Sequence, residues 1–180
     1  MAPPPRALAF QPVGAGDGAL LAAIFGDVRV AAWLRPAGGE GPFTATECER
    51  MAAAGAARWT AHGFGPWLVS EAGSPVAHGG LAVKVIDGRA EVEVAWAVAA
   101  EHWRRGIASA IGARALALAR ELELRRVVAI ARVDNAASRA VVGRLAMREE
   151  GRIMHAGLEH VFALAPDGGA ACARAPQGGN

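Results

Sequence analysis

The run VEVAWAVAAEHWRRGIASAI, residues 92–111, constrains this chain more than any other stretch. Residues 91–98 read as a strand, with polar Glu91 and Glu93 alternating with apolar neighbours and a wholly apolar end. Residues 99–103 form a short connection. Arg104, Arg105, Gly106, Ile107, Ala108 and Ser109 then open a helix whose apolar positions, Ile107, Ile111, Ala115, Leu118 and Leu122, share one face. The first N–H groups of a helix have no intrahelical partner, and the helix dipole favours an anion there. Gly106 and Ala108 leave little side chain between that backbone and a phosphate, and the two arginines add charge. The residues alone leave two readings open, an anion cradle or an ordinary strand-to-helix turn with solvated arginines.

The rest of the chain predicts a series of elements around this one. Residues 1–5 are expected to be a loose arm and 7–11 a first strand. Helices are predicted at 19–25, 28–34 and 45–62, the last opened by a capping box of Thr44 and Glu47. Strands at 64–71 and 76–85 follow, and Asp87-Gly88 makes a tight hairpin into the strand at 91–98. The helix from Arg104 runs to about residue 124, with a buried strand at 127–133, a helix at 136–147 and a hairpin of 148–155 with 158–165. The Gly/Ala/Pro-rich tail, 166–180, is expected to be disordered. The order is that of an α+β fold around a mixed sheet, in one domain spanning 6–165.

A net charge of +2 without a polybasic run argues against nucleic acid. No apolar run approaches a membrane span, and no leader pattern opens the chain, so a soluble, cytoplasmic protein with reduced Cys48 and Cys172 is expected. No His or Cys pair has metal-ligand spacing, so no metal is expected. Lys84 is the only lysine, and there is no tyrosine.

The segment His102-Trp103-Arg104-Arg105-Gly106-Ile107-Ala108 resembles motif A of the GNAT superfamily of acyl-CoA-dependent N-acyltransferases, written Gln/Arg-x-x-Gly-x-Gly/Ala. Trp103 stands at the first marked position, as in the ribosomal-protein N-terminal acetyltransferase branch, which commonly reads Tyr-Trp-x-x-Gly-x-Ala. Arg132-Val133-Asp134-Asn135-Ala136-Ala137-Ser138 is similar to that branch's motif B, a strand end followed by Asn-x-x-Ser. The likeness spans residues 7–165 and is sharp over 91–138. It implies a GNAT-like, mostly antiparallel central sheet flanked by helices, with a V-shaped splay between the fourth and fifth strands that holds acetyl-CoA.

By the same resemblance, backbone groups of Ala97, Val98 and Ala99 pair with the pantetheine amides, and the Val98 N–H faces the acetyl oxygen. Arg104, Arg105, Gly106, Ile107, Ala108 and Ser109 cradle the pyrophosphate. Asn135 bonds the pantetheine arm, or caps the following helix, or both. Ser138 is the implied acid toward the leaving thiolate, the tyrosine route being closed, with water as the alternative. Glu93 is the first candidate for the base, since a carboxylate in a partly buried strand has its pKa raised. Glu91, two residues earlier, is the runner-up, and Glu159 and His160 form a third option. Both glutamates on the strand also read as solvent-facing residues.

Cys48, remote in the expected topology, argues against a ping-pong route. The acceptor pocket is expected from residues 28–65 and the last hairpin, with Trp33, Phe43, Trp59, Phe64 and Trp67 as core or lining, and with Glu40, Glu47 and Glu49 welcoming a cationic amine. The expected activity is acetyl transfer from acetyl-CoA to a primary amine, either a protein N-terminus or a small molecule. A non-catalytic CoA-binding module of the same fold is the alternative. A homodimer is compatible with the sequence.

Overall fold

The computed structural model describes residues 7–166. The expected arm, Cys172 and all but the first residue of the expected tail lie outside them. The elements run β1 (Leu8–Pro12), α1 (Gly18–Phe25), α2 (Val28–Leu34), α3 (Ala45–His62), β2 (Pro66–Glu71), β3 (Ser74–Ile86), β4 (Arg89–Val98), a 3₁₀ turn (Ala100–His102), α4 (Ile107–Glu121), β5 (Val127–Arg132), α5 (Ala136–Arg144), β6 (Arg148–His155) and β7 (Leu158–Leu164). All seven strands form one mixed sheet of order β1-β2-β3-β4-β5-β7-β6. Every pairing is antiparallel except β4 with β5. The α+β, mostly antiparallel architecture expected from the sequence is what the chain adopts.

Local chemistry accounts for most boundaries. Thr44 Oγ1 accepts from the Glu47 N–H at 3.2 Å while the Thr44 N–H donates to Glu47 Oε2 at 2.7 Å, so the capping box forms as read. Asp87 and Gly88 both take positive φ, as a two-residue hairpin between twisted strands requires. The start of α4 departs from the expectation. Arg104 and Gly106 have φ of 61° and 80°, outside the helical region, so the helix begins at Ile107 with Gly106 as its N-cap. The helix at the second motif also ends earlier than expected, at Arg144.

The core divides across the sheet. Ile107, Ile111 and Ala115 of α4 pack with Val94 and Val98 of β4 and with Val142 of α5 on one face. Leu21, Ile24 and Phe25 of α1 pack with Val30 of α2, Cys48 and Ala52 of α3, Leu68 and Ala97 on the other. Alternation along β4 therefore sends Glu91, Glu93, Ala95 and Ala97 toward the α1–α2 side. A Cβ on Gly112 would collide with the Leu145 side chain, so this glycine lets the end of α5 close on α4.

Candidate active site

The seam between β4 and β5 opens quickly. β4 and β5 pair only at Val92↔Val127 and Glu93↔Val128. Beyond that rung, residues 94–98 and 129–132 run on without each other, and a cavity of about 1290 Å³ occupies the gap. This is the V-shaped splay. The Ala99 N–H donates back to Val76 O on β3 at 2.9 Å, so by alternation the N–H groups of Val98 and Trp96 point the other way, into the splay. Trp103 folds over the mouth and donates from Nε1 to Val98 O at 2.8 Å.

Most residues singled out from the sequence come together here. Glu93, Ala97, Val98, Arg104, Gly106, Ile107, Ala108, Ser109, Asn135 and Ser138 all line the one cavity. At its mouth, the N–H groups of Ile107, Ala108 and Ser109 precede the first intrahelical bond of α4, Ala110 N–H to Gly106 O. Gly106 has open space where a Cβ would stand, and Ser109 Oγ is buried without a hydrogen-bond partner. Free amides, an open glycine and an unpaired hydroxyl fit a phosphate group, the pyrophosphate of a CoA included.

Two expected ligand residues stand apart. The Ala99 N–H is used within the sheet, and Ala99 does not reach the cavity. Arg105 turns away as well: its Nη2 donates to both oxygens of Glu71, at 2.7 and 3.0 Å. Its Nη1 lies 2.6 Å from His102 Nδ1. Glu71, only 7% exposed, thus ties the turn to the end of β2. Sequence reasoning missed Glu71, because the bond spans 34 positions and no local pattern announces it.

Asn135 is a cap in fact: its Oδ1 accepts from the Ser138 N–H at 3.0 Å, fixing the first turn of α5. Both residues still face the cavity, so the two readings of Asn135 are compatible.

The candidate carboxylates differ in their surroundings. Glu91 and Glu93 are both buried, which removes the solvent-facing reading. Glu91 is occupied by Arg126 Nε at 2.8 and 3.1 Å and does not line the cavity. Glu159 pairs with Arg152 on the exposed side of the hairpin. Glu93 sits on the last β4–β5 rung, 5% exposed, and lines the cavity. Burial pushes its pKa up, and the Lys84 ammonium, 3.2 Å away, pulls the other way without cancelling it. His160 lines the cavity too, its Nδ1 2.9 Å from Leu158 O, and stacks edge-on with His155. Burial first, and then the neighbouring Lys84 and His160 side chains, hold His155 below its ordinary range.

The far part of the cavity is roofed by α2 and the loop after it. Arg132 Nη1 donates to Ala32 O at 2.9 Å and the guanidinium lies over the Trp33 ring. The Ala37 N–H donates to Ala156 O in the β6–β7 turn at 2.9 Å. Val30, Trp33, Leu34 and Pro36 line the chamber below. Of the expected aromatics only Trp33 does so; Phe64 and Trp67 are core, and Trp59 donates to Pro66 O. Glu40, Glu47 and Glu49 stay outside, Glu47 being held by Arg35, whose hydrogen bond takes its pKa down to about 2.

A splayed parallel pair with a helix N-terminus at its mouth and a buried carboxyl at its apex defines an acyltransferase-type site. The family model for the acetyltransferase (GNAT) domain matches residues 7–148, and the chain belongs to that family. No curated protein matches the chain. Among solved structures, one described as a GnaT-family acetyltransferase from Bordetella pertussis is 22% identical, with a TM-score of 0.74 over 88% of this chain and 95% of that one. AAC(6')-Ib in complex with ribostamycin and coenzyme A is 13% identical, TM-score 0.71, over 88% and 93%. The ribosomal-protein-S5-alanine acetyltransferase from Vibrio fischeri is 15% identical, TM-score 0.69, over 87% and 91%. These likenesses concern the fold. Among the described residues, no helix is long and apolar enough to cross a membrane, and no cluster of side chains could hold a metal ion.

Proposed function

We propose that the protein transfers the acetyl group of acetyl-CoA to a primary amine by direct attack within a ternary complex. The observation that carries this is the placement of Glu93: a buried carboxyl with a raised pKa, on the wall of the cavity that the unpaired amides of α4 open. Glu93 takes the proton of the acceptor ammonium, directly or through a water. The amine nitrogen then forms its bond to the thioester carbonyl carbon, and a backbone N–H of β4 directed into the splay meets the oxygen on which charge develops. As the carbon–sulfur bond breaks, the thiolate takes a proton from Ser138 or from water, and the proton that the acylated nitrogen sheds restores that donor. Cys48, fully buried between α1 and the sheet, supports a route without an acyl-enzyme.

The chamber favours an acceptor with one amine, an apolar body and no further positive charge. Its lining offers apolar Val30, Trp33, Leu34 and Pro36, while Glu93 is shared with Lys84 and Asp134 is paired with Arg132. A peptide N-terminus fits this description better than a polycation such as ribostamycin. Calorimetry with acetyl-CoA, CoA and ATP, followed by thiol release with N-terminal peptides and simple amines, tests the reading. Binding of both CoA species but not ATP, with turnover of an amine, is the expected result. Binding without any turnover would identify the non-catalytic module instead, and absence of CoA binding would refute both.

A further inference from the structure

The chain's one lysine stands on the wall of the cavity, beside the carboxyl assigned as base. Lys84 projects from β3 into the cavity, its side chain 44% exposed, with Nζ 3.2 Å from Glu93 Oε2. In register Lys84 faces Glu91, and Glu93 faces Ala82, so the lysine reaches diagonally past a nearer carboxylate. Glu91 is already saturated by Arg126. A primary ammonium is thereby held where an acceptor's ammonium has to stand, at the carboxylate assigned as base. The pair also marks the apex of the splay. Glu93↔Val128 is the last rung between β4 and β5, so an extended chain laid between them as an added strand runs out at that point.

We propose that Lys84 is itself an acetyl acceptor, so that without an external amine the protein acetylates its own Nζ from acetyl-CoA. This rests on the acetyl-CoA reading above and adds a modification site to it. Glu93 removes a proton from the Lys84 ammonium. The neutral Nζ forms a bond to the thioester carbonyl carbon, the carbon–sulfur bond breaks, and the proton that Nζ sheds as the amide forms passes to the thiolate, giving free CoA. The product is an uncharged amide at Lys84. Glu93 then loses its nearest cation, and the acceptor chamber narrows by the added acetyl group.

The test is incubation of the full chain with acetyl-CoA and no other amine, followed by peptide mapping by mass spectrometry. The same chain unfolded in urea serves as the reference for uncatalysed acetylation. Modification at Lys84 is expected to be about a hundredfold faster in the folded chain, the scale of positioned acid–base catalysis, and to slow markedly in Glu93→Gln. No acetyl group at Lys84, a rate equal to that of the unfolded chain, or indifference to Glu93→Gln would each overturn the proposal. Calorimetry on the same sample separates the two readings. If acetyl-CoA binds and Lys84 stays unmodified, self-acetylation fails alone; if acetyl-CoA does not bind, the proposed function fails with it.

Discussion

Two carboxylates, two positions apart on one strand, end in different work. Glu91 and Glu93 share burial and face, yet Arg126 neutralises one and the cavity opens on the other. Their difference is set by a residue 35 positions away, which is why sequence alone ranked them only by proximity to the glycine turn. Since burial raises the Glu93 pKa, the deprotonated base is populated only as pH climbs through that raised value, and kcat/KM should rise with pH there. Glu93→Gln should lower kcat about a hundredfold or more and abolish that limb of the profile. An unchanged rate and profile would move the role to His160. Glu71 makes a different prediction, because it touches the turn and not the cavity. Glu71→Gln weakens the hold on Arg105, lets the 104–106 backbone drift, and should raise KM for acetyl-CoA about tenfold while kcat at saturation changes little. A fall in kcat with KM unmoved would contradict a positioning role.

At the scale of elements, the mouth of α4 concentrates what the fold offers an anion. Gly106 is left-handed with nothing near its missing Cβ, so a larger side chain meets strain and not a clash. Gly106→Leu should therefore cost only about 1–2 kcal/mol of stability. It would nonetheless place a side chain over the free amides of Ile107, Ala108 and Ser109. The expected result is a cooperative melt a few degrees lower with acetyl-CoA affinity down at least about tenfold. Retained affinity would remove the cradle from the mouth of α4. Devices of this kind are legible in sequence because they are local: Gly106 before a helix, Thr44 three positions from Glu47, and Asp87-Gly88 between strands each carry their mechanism within a few residues. The start of α4 is the converse case. Arg104 has no compositional mark of positive φ, and only the turn it completes imposes it.

For the molecule as a whole, the legible part is the order of elements and the seam they build; contacts between distant segments are not. The Ala32–Arg132 bond, across 100 positions, roofs the acceptor chamber, and nothing near either residue announces it. His78 is another such case. In sequence it is an isolated histidine on a strand; in the fold it packs edge-on against Phe25 of α1, its Nε2 buried without a hydrogen-bond partner. Burial, with a small addition from Arg58, brings its pKa from 6.5 down to about 4. Between these values the unfolded chain binds a proton at His78 and the folded chain does not. The contribution to stability is thus complete above pH 6.5 and is lost as pH falls through the interval to about 4. Its size is at most about 3 kcal/mol. Glu93 slopes the other way: its raised pKa gives stability below the ordinary 4.5 that is lost as pH rises through the folded value. Total stability therefore blurs the two, and a difference between variants separates them. His78→Leu removes the titrating ring and the buried nitrogen at similar volume. The stability of the parent relative to this variant should decline steadily as pH drops from 6.5 toward 4 in denaturant titrations. A difference independent of pH would mean that solvent reaches the ring and that the α1 face is not closed over it.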